Sequence, residues 1–380
     1  MQTADAVVIG AGIVGAATAY YLAKAGIDVM LVDRRHPNAG GTASQASAGG
    51  VRQQGRAPEE IPLAIHSIHL WGGLEEELGA DLHYRRNGMT IVTDDALLIP
   101  WLEERVAREQ SLGLDIRIVR GAELHDLIAG LSPRIVAGSY CPSDGHADPL
   151  RTVPALLEAA RRLGARTAWQ CPVENLVIEN GRITAVKTSG GRIGCRYVVL
   201  AAGYWSKALA AAAGIDLPFV YCPLQMMVTA KQPPALDQVL GWVNHGISLK
   251  QVPSGGFVIG GGWPGQADPE TCRTRLLPGS MAKSAETTVN LFPSLAGIPI
   301  VRAWLGIEAF CRDEIPIVSP AVSVDGLIVA AGFSGHGFAI GPGVGSLLAQ
   351  YLAAGQWPDM LKPLGFERFK ALSSKLKAAG

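Results

Sequence analysis

The sequence predicts an α/β protein in two parts, one a parallel sheet covered by helices and the other an α+β unit on a mostly antiparallel sheet. Three observations carry this. Residues 4–35 form a complete βαβ pattern, a second buried strand follows at residues 197–200, and short apolar runs bounded by turn residues lie between. The length of 380 residues also exceeds the roughly 250–300 at which single cores stop growing.

Residues 6–9 (AVVI) are rich in β-branched side chains, the composition of a strand buried on both faces. Gly10, Gly12 and Gly15 follow in GxGxxG spacing, then Ile13 and Val14 in a helical stretch that Gly26 stops, then a strand at 28–32. Gly10 permits the tight turn, Gly12 lets backbone approach a pyrophosphate, and Gly15 lets helix and strand pack closely. The helix N-terminus offers unpaired N–H groups to phosphate. Asp33 ends the second strand, with Arg34 after it. A carboxylate there accepts hydrogen bonds from both ribose hydroxyls, which argues against NADP. The motif alone does not separate FAD from NAD.

Past Asp33 comes a small-residue loop, "GTASQASAGGVRQQ" (41–54), holding Ser44, Ser47, Ala48, Gly49, Gly50 and Arg52. Residues 85–95 and 255–265 read as antiparallel strands. The segment from Val173 reads as a hairpin turning at Asn180-Gly181, with a second turn at Gly190-Gly191. It leads into "YVVLAAGYWSKAL" (197–209), where a buried strand meets Ala201, Ala202, Gly203 and Trp205. Near the end, "AAGFSGHGFAIGPG" (330–343) places five glycines and His336 between two apolar runs, with a helix expected from about Gly343.

Lysine plus arginine equals aspartate plus glutamate at 33 each, so no electrostatic footprint for nucleic acid exists. Cys141, Cys171, Cys195, Cys222, Cys272 and Cys311 are scattered, with no CxxC pair, and read as buried thiols of a reducing compartment. His66 and His69 share a helix face without a third ligand, so no metal site is expected. The uncharged stretch 6–23 has no basic residue before it and is interrupted by glycines, so neither an export signal nor a membrane span is expected, and a cytoplasmic location is. Trp71 and Trp205 read as core, and the basic positions Arg368, Lys370, Lys375 and Lys377 as a solvated helix face.

On these motifs the chain resembles the D-amino acid oxidase-like FAD-dependent oxidoreductases. That family includes sarcosine oxidases, glycine oxidase, dimethylglycine dehydrogenases and the flavin subunits of proline, hydroxyproline and opine dehydrogenases. The resemblance runs nearly the whole length, through "SDGHADPLRTVPALLEAARRLGA" (143–165) and "GLIVAAGFSGHGFAIGPGVGSLLAQYL" (326–352). It implies a Rossmann-like, glutathione reductase-like FAD-binding domain, discontinuous over 1–84, 144–220 and 325–380. The second, substrate-binding domain is expected over 85–143 and 221–324. It further implies that the backbone of Val173 meets the adenine. The backbone at Gly332, Gly335, His336, Gly337 and Phe338 is expected against the flavin ring, where N–H groups stabilise negative charge on the reduced ring.

The activity implied is oxidation of the C–N bond of an amino acid or secondary amine of the sarcosine, proline, hydroxyproline or opine type. A hydride equivalent passes to flavin N5 and leaves an imine. Arg52 is the first candidate for a functional side chain, to pair with a substrate carboxylate or with the cofactor's own negative end, against a structural ion pair. Four positions depart from the monomeric sarcosine oxidase pattern. Val258 matches a lysine that assists reaction with oxygen, and Gly306 matches the covalent flavin cysteine, so noncovalent FAD is expected. Glu308 replaces a tyrosine; it faces substrate or forms a salt bridge with Arg302 or Arg312. Ala339 replaces a lysine after the GHGF motif. His336 either tunes the site or is bonded for structure. A dehydrogenase passing electrons to a partner subunit or other acceptor is favoured. An oxygen-using oxidase, or a noncatalytic flavin-holding relay subunit, stays open.

Overall fold

The computed structural model describes residues 2–37 and 39–369. Lys370, Lys375 and Lys377 of the basic tail lie outside the described residues. Among those described, Arg368 is not solvated: its Nε donates to Asp313 Oδ2 at 2.7 Å and the pair is largely buried.

The first sheet is wound around β1 (Gln2–Ile9), which runs parallel to β2 (Val29–Val32) on one side and β9 (Gly191–Leu200) on the other. β6 (Arg166–Ala168) extends it parallel beyond β2, and β16 (Leu327–Ala331) extends it parallel beyond β9. All residues of β2 and β16 are buried, as a strand covered on both faces requires. The hairpin of β7 (Val173–Glu179) and β8 (Arg182–Thr188) leans on β9, and its turn takes positive φ at Asn180 (52°) and Gly181 (75°), as the sequence predicts. β15 (Ile317–Pro320) closes the edge antiparallel to β16, ahead of the boundary at 325 expected from sequence.

Five helices matter for the site. α1 (Ile13–Lys24), α2 (Ile61–Leu78), α4 (Pro149–Arg162) and α5 (Gly337–Ala354) pack around the first sheet in one apolar core, and α3 (Ile99–Ser111) packs beside the second sheet. α1 and α5 touch along small residues. A Cβ on Gly345 would lie 2.6 Å from the Ala17 carbonyl carbon and 2.7 Å from Thr18 N. Gly345→Ala is therefore expected to force the helices apart and cost about 1–3 kcal/mol, read as a lower denaturation midpoint at unchanged slope.

α5 begins at Gly337, six residues before the start expected from sequence. The Gly341-Pro342-Gly343 triplet is a poor helix interior, because proline has no N–H and glycine gains least from ordering. Side chains of α2 repair the break. Ser67 Oγ donates to Ala339 O (2.7 Å) and accepts from the Gly343 N–H (3.0 Å), while Trp71 Nε1 also donates to Ala339 O (2.9 Å). Tertiary bonding overrides local propensity here.

The second sheet has the order β14–β10–β13–β12–β11–β3–β5–β4. Its strands are β3 (Met89–Thr93), β4 (Arg117–Arg120), β5 (Ala137–Cys141), β10 (Phe219–Thr229), β11 (Val239–Trp242), β12 (Ile247–Gln251), β13 (Phe257–Gly261) and β14 (Ile300–Cys311). Only β3 and β11 pair in parallel. The long ladder between β10 and β14 carries Glu308, opposite Cys222, towards the first sheet.

Candidate active site

Two adjoining cavities of about 440 and 430 Å³ share Ser47, Glu308, Ser334 and Gly335 in their walls. The first is a long cleft starting where β1 turns into α1. Gly10 takes φ +103°, and a Cβ on it would lie 2.5 Å from Ala201 O. Gly10, Gly12, Ile13 and Val14 line this end, while Gly15 lies outside the cavity and packs against the Gly10 carbonyl. Asp33 also shapes the loop. Its Oδ2 accepts the Ala11 N–H at 2.7 Å and its Oδ1 the Arg35 N–H at 2.8 Å. Ser44 Oγ accepts the Ile13 N–H at 2.9 Å.

The cleft then passes Arg34, Val173, Ala201, Ala202, Gly203 and Trp205, and ends at Gly332, Gly335, Gly337 and Phe338. Trp205 is a half-buried wall residue, not core. Arg34 stacks on its ring at 4.2 Å and its Nε1 donates to Pro269 O at 2.7 Å. Three residues expected along the cleft, Ala48, Gly50 and His336, line the second cavity instead, and Gly49 lines neither. Gly49 takes φ +72° with its α-carbon against Ala147 O and Pro149, so it shapes the loop from behind.

The second cavity gathers charge. Arg52 forms no ion pair within 4.0 Å among the described residues. Its Nη1 donates to Gln54 O (2.7 Å) and Gly55 O (3.1 Å), which fixes the guanidinium at the wall. Arg56 donates to Arg52 O and pairs with Glu60 Oε1 at 3.4 Å. Glu60 also holds His336, whose Nδ1 lies 3.0 and 3.1 Å from the two carboxylate oxygens. Burial, reinforced by Arg56, lowers the His336 pKa to about 4. A neutral imidazole beside a carboxylate donates from Nδ1, leaving Nε2 an acceptor.

Glu308 stands between the cavities. Neither Arg302 nor Arg312 pairs with it, so the salt-bridge alternative is absent among the described residues. Burial raises its carboxyl pKa to about 7, against the opposing pull of the Gly335 N–H. Gly306, two residues earlier, has no room for a side chain, since a Cβ would meet Ala46 and lie 2.8 Å from Thr42 O. Cys311 lines neither cavity and accepts from Arg368 at 3.7 Å.

Sequence reasoning missed Arg56, Glu60, Arg105 and Lys250. Arg56 and Glu60 stand at i,i+4 spacing and Arg105 lies in a charged helix, so all three look like solvated surface. Lys250 sits directly across the sheet from Val258. It is buried, donates to Ala147 O at 3.2 Å, and desolvation lowers its pKa to about 7. Lys250 lines neither cavity; its Nζ lies 3.1 Å from where a Cβ on Gly49 would stand.

A model of FAD-dependent oxidoreductases, the DAO family, matches residues 5–351. The protein belongs to that family. As a DAO-family flavoprotein it is an oxidoreductase that uses FAD, and the glycine-cradled cleft, lined from the α1 N-terminus to the α5 N-terminus, fits an extended dinucleotide. It is 28% identical to an opine oxidase subunit from Agrobacterium tumefaciens (strain Ach5), over 98% of this chain and 99% of that one. It is also 28% identical to mitochondrial dimethylglycine dehydrogenase of Mus musculus over 96% of this chain, spanning 44% of that longer protein. Among solved structures, L-proline dehydrogenase from P. horikoshii superposes with a TM-score of 0.88 at 27% identity, covering 97% of this chain and 98% of that one. Among the described residues no group could hold a metal ion, and no helix is long and apolar enough to cross a membrane.

Proposed function

We propose that the protein oxidises the C–N bond of an amino acid or secondary amine, giving an imine, and passes the electrons to a partner subunit or another acceptor. The observation that carries this is Glu308: a half-buried carboxyl at the junction of the two cavities, with Arg52 in the wall of the second. Noncovalent FAD in the first cavity supplies the hydride acceptor. Val14 and Gly12 would face its pyrophosphate, Asp33 its ribose, Val173 its adenine, and the Gly332–Phe338 backbone its ring. Arg52 would bind the substrate carboxylate and orient the reacting C–H bond. Amine substrates arrive as ammonium ions at neutral pH. Glu308 would accept that proton, with the neutral His336, held by Glu60, alongside.

A pH dependence follows with a definite sign. The Glu308 pKa is raised to about 7, so the carboxylate form that accepts a proton grows as pH rises through about 7. The rate of anaerobic flavin reduction is expected to climb across that range. Glu308→Gln should flatten the climb and lower the plateau by about 10²-fold or more; an unchanged profile would remove Glu308 from the proton path.

Relatives that act as an opine oxidase, a dimethylglycine dehydrogenase and a proline dehydrogenase support an amine substrate, and the first, being one subunit of its enzyme, supports a hetero-oligomer. The test is to mix the yellow protein anaerobically with a panel of amino acids and secondary amines, watch for bleaching, then admit air. Slow reoxidation without peroxide supports the dehydrogenase. A second reading, an oxygen-using oxidase, is favoured by Lys250, a buried cation behind the Ala48–Gly49 loop, and rapid reoxidation with peroxide would establish it.

A further inference from the structure

We propose that the small hairpin of residues 266–275 is a clasp on the dinucleotide cleft: its turn, through Pro269 and Cys272, positions Arg34 and Trp205 in the cleft wall and slows the release of FAD. The proposal rests on the reading above that FAD lies in the first cavity, and it adds a positioning element that itself lines neither cavity.

The hairpin pairs Gln266–Asp268 antiparallel with Arg273–Arg275 and joins neither large sheet. The second sheet holds its base. The Gly265 N–H donates to Pro223 O at 2.7 Å, and a Cβ on Gly265 would lie 2.7 Å from Leu305 Cδ2. Gln225, buried on β10, donates its backbone N–H to Trp263 O at 2.9 Å and accepts the Leu277 N–H on Oε1 at 2.5 Å. The chain entering the hairpin and the chain leaving it are thus tied to one strand, and the turn projects from a fixed root.

The turn itself is braced. Asp268 Oδ1 accepts the Glu270 N–H at 2.9 Å and its Oδ2 the Thr271 hydroxyl at 2.6 Å, side-chain bonds that set the shape of the turn locally. Cys272 follows at φ +56°, a backbone conformation that residues other than glycine rarely adopt, and its thiol meets Arg34.

Two wall residues of the first cavity end on this one turn. Arg34 Nη2 donates to Cys272 Sγ, Trp205 Nε1 donates to Pro269 O at 2.7 Å, and the guanidinium lies 4.2 Å over the indole ring. Arg34 follows β2 and Trp205 follows β9, the two neighbours of β1, so the stacked pair spans the loop after β1. Both residues are half-buried, and among the described residues no other hydrogen bond joins the turn to this side of the molecule. Arg34 forms no ion pair among the described residues, so its charge is available to the phosphates of a dinucleotide. A flexible arginine holds an anion firmly only when its rotamers are fixed beforehand, and the turn fixes them.

The test measures how fast FAD leaves the loaded protein, read as the rise in flavin fluorescence after dilution into flavin-free buffer. Replacing Pro269–Cys272 by Asn-Gly keeps a tight turn on the paired strands and removes both grips. Release is expected to become about tenfold faster or more, with the thermal midpoint of the FAD-free protein unchanged. Cys272→Ala should accelerate release less, and Cys272→Ser, which keeps an acceptor for Arg34, less still. If the shortened protein does not fold, the two Cys272 variants decide: no acceleration in Cys272→Ala would overturn the clasp. Unchanged release from the shortened protein would overturn it too, as would faster release with a lowered FAD-free midpoint, which marks general loosening. None of these readings needs a substrate. An unmodified protein that takes up no FAD would remove the reading of the first cavity, whereas a yellow protein whose release ignores the turn would remove the clasp alone.

Discussion

Gly15→Val is expected to give a folded but colourless protein. A Cβ at Gly15 would run into the Gly10 carbonyl oxygen and sit 3.0 Å from its carbon and 3.4 Å from Val8 Cγ1. Gly10 cannot retreat, because its own α-carbon already rests against the Ala201–Ala202 backbone at φ +103°. The end of β1, the end of β9 and the start of α1 are locked by backbone contact, so added volume must open the turn. Opening it would withdraw the helix N-terminus from where the pyrophosphate is proposed to lie and shift Ala11, which donates to Asp33. Overpacking there costs about 1–3 kcal/mol of stability, while FAD binding loses its central anchor. Visible absorbance should vanish with far-ultraviolet dichroism retained. Gly72→Ala, on an exposed face of α2 with nothing within 4 Å, is the control: it should stay yellow and gain up to about 1 kcal/mol. A yellow Gly15→Val protein would mean that the cleft does not hold the cofactor this way.

Arg52→Met should leave the protein yellow but nearly inactive at ordinary substrate concentrations. Methionine keeps the apolar stem and removes the guanidinium. The lost charge-assisted bonds to a substrate carboxylate are worth about 2–4 kcal/mol, roughly a 30- to 1000-fold rise in KM. Two backbone carbonyls, of Gln54 and Gly55, also lose their donor, so the loop is expected to loosen. Arg52→Lys separates the effects, since it restores charge but not the two-carbonyl grip. Steady-state kinetics together with the flavin spectrum read both. A KM change shared by carboxylate-free amines would show that Arg52 serves the loop and not the substrate.

The dinucleotide half was legible from sequence because its physics is local. Turn glycines, an N-terminal helix end and a strand-terminal acid fall within 30 residues, and the hairpin at Asn180-Gly181 reads the same way. The substrate half was not, because it is assembled from distant segments. Glu60, His336 and Arg56 meet from α2, the start of α5 and a loop; Arg105 and Glu109 look like a solvated i,i+4 pair until α3 is laid against the Arg52 loop. Lys250 needed the β12–β13 register to be seen beside Val258. The start of α5 was misjudged because the partners that rescue Gly341-Pro342-Gly343 come from a helix more than 250 residues away in sequence.

That repair changes what the glycines between β16 and α5 mean. α2 grips the start of α5 twice, through Glu60 on His336 and through Ser67 and Trp71 on Ala339. Segments this rich in glycine ordinarily exchange their amide protons quickly, yet here the Gly343 N–H is buried and engaged, so its deuterium uptake should be as slow as that of a core strand. At the start of α5 the glycines serve closeness of approach: a Cβ on Gly343 would lie 2.9 Å from Ser67 Cβ, and one on Gly341 2.9 Å from Ile13 Cγ1.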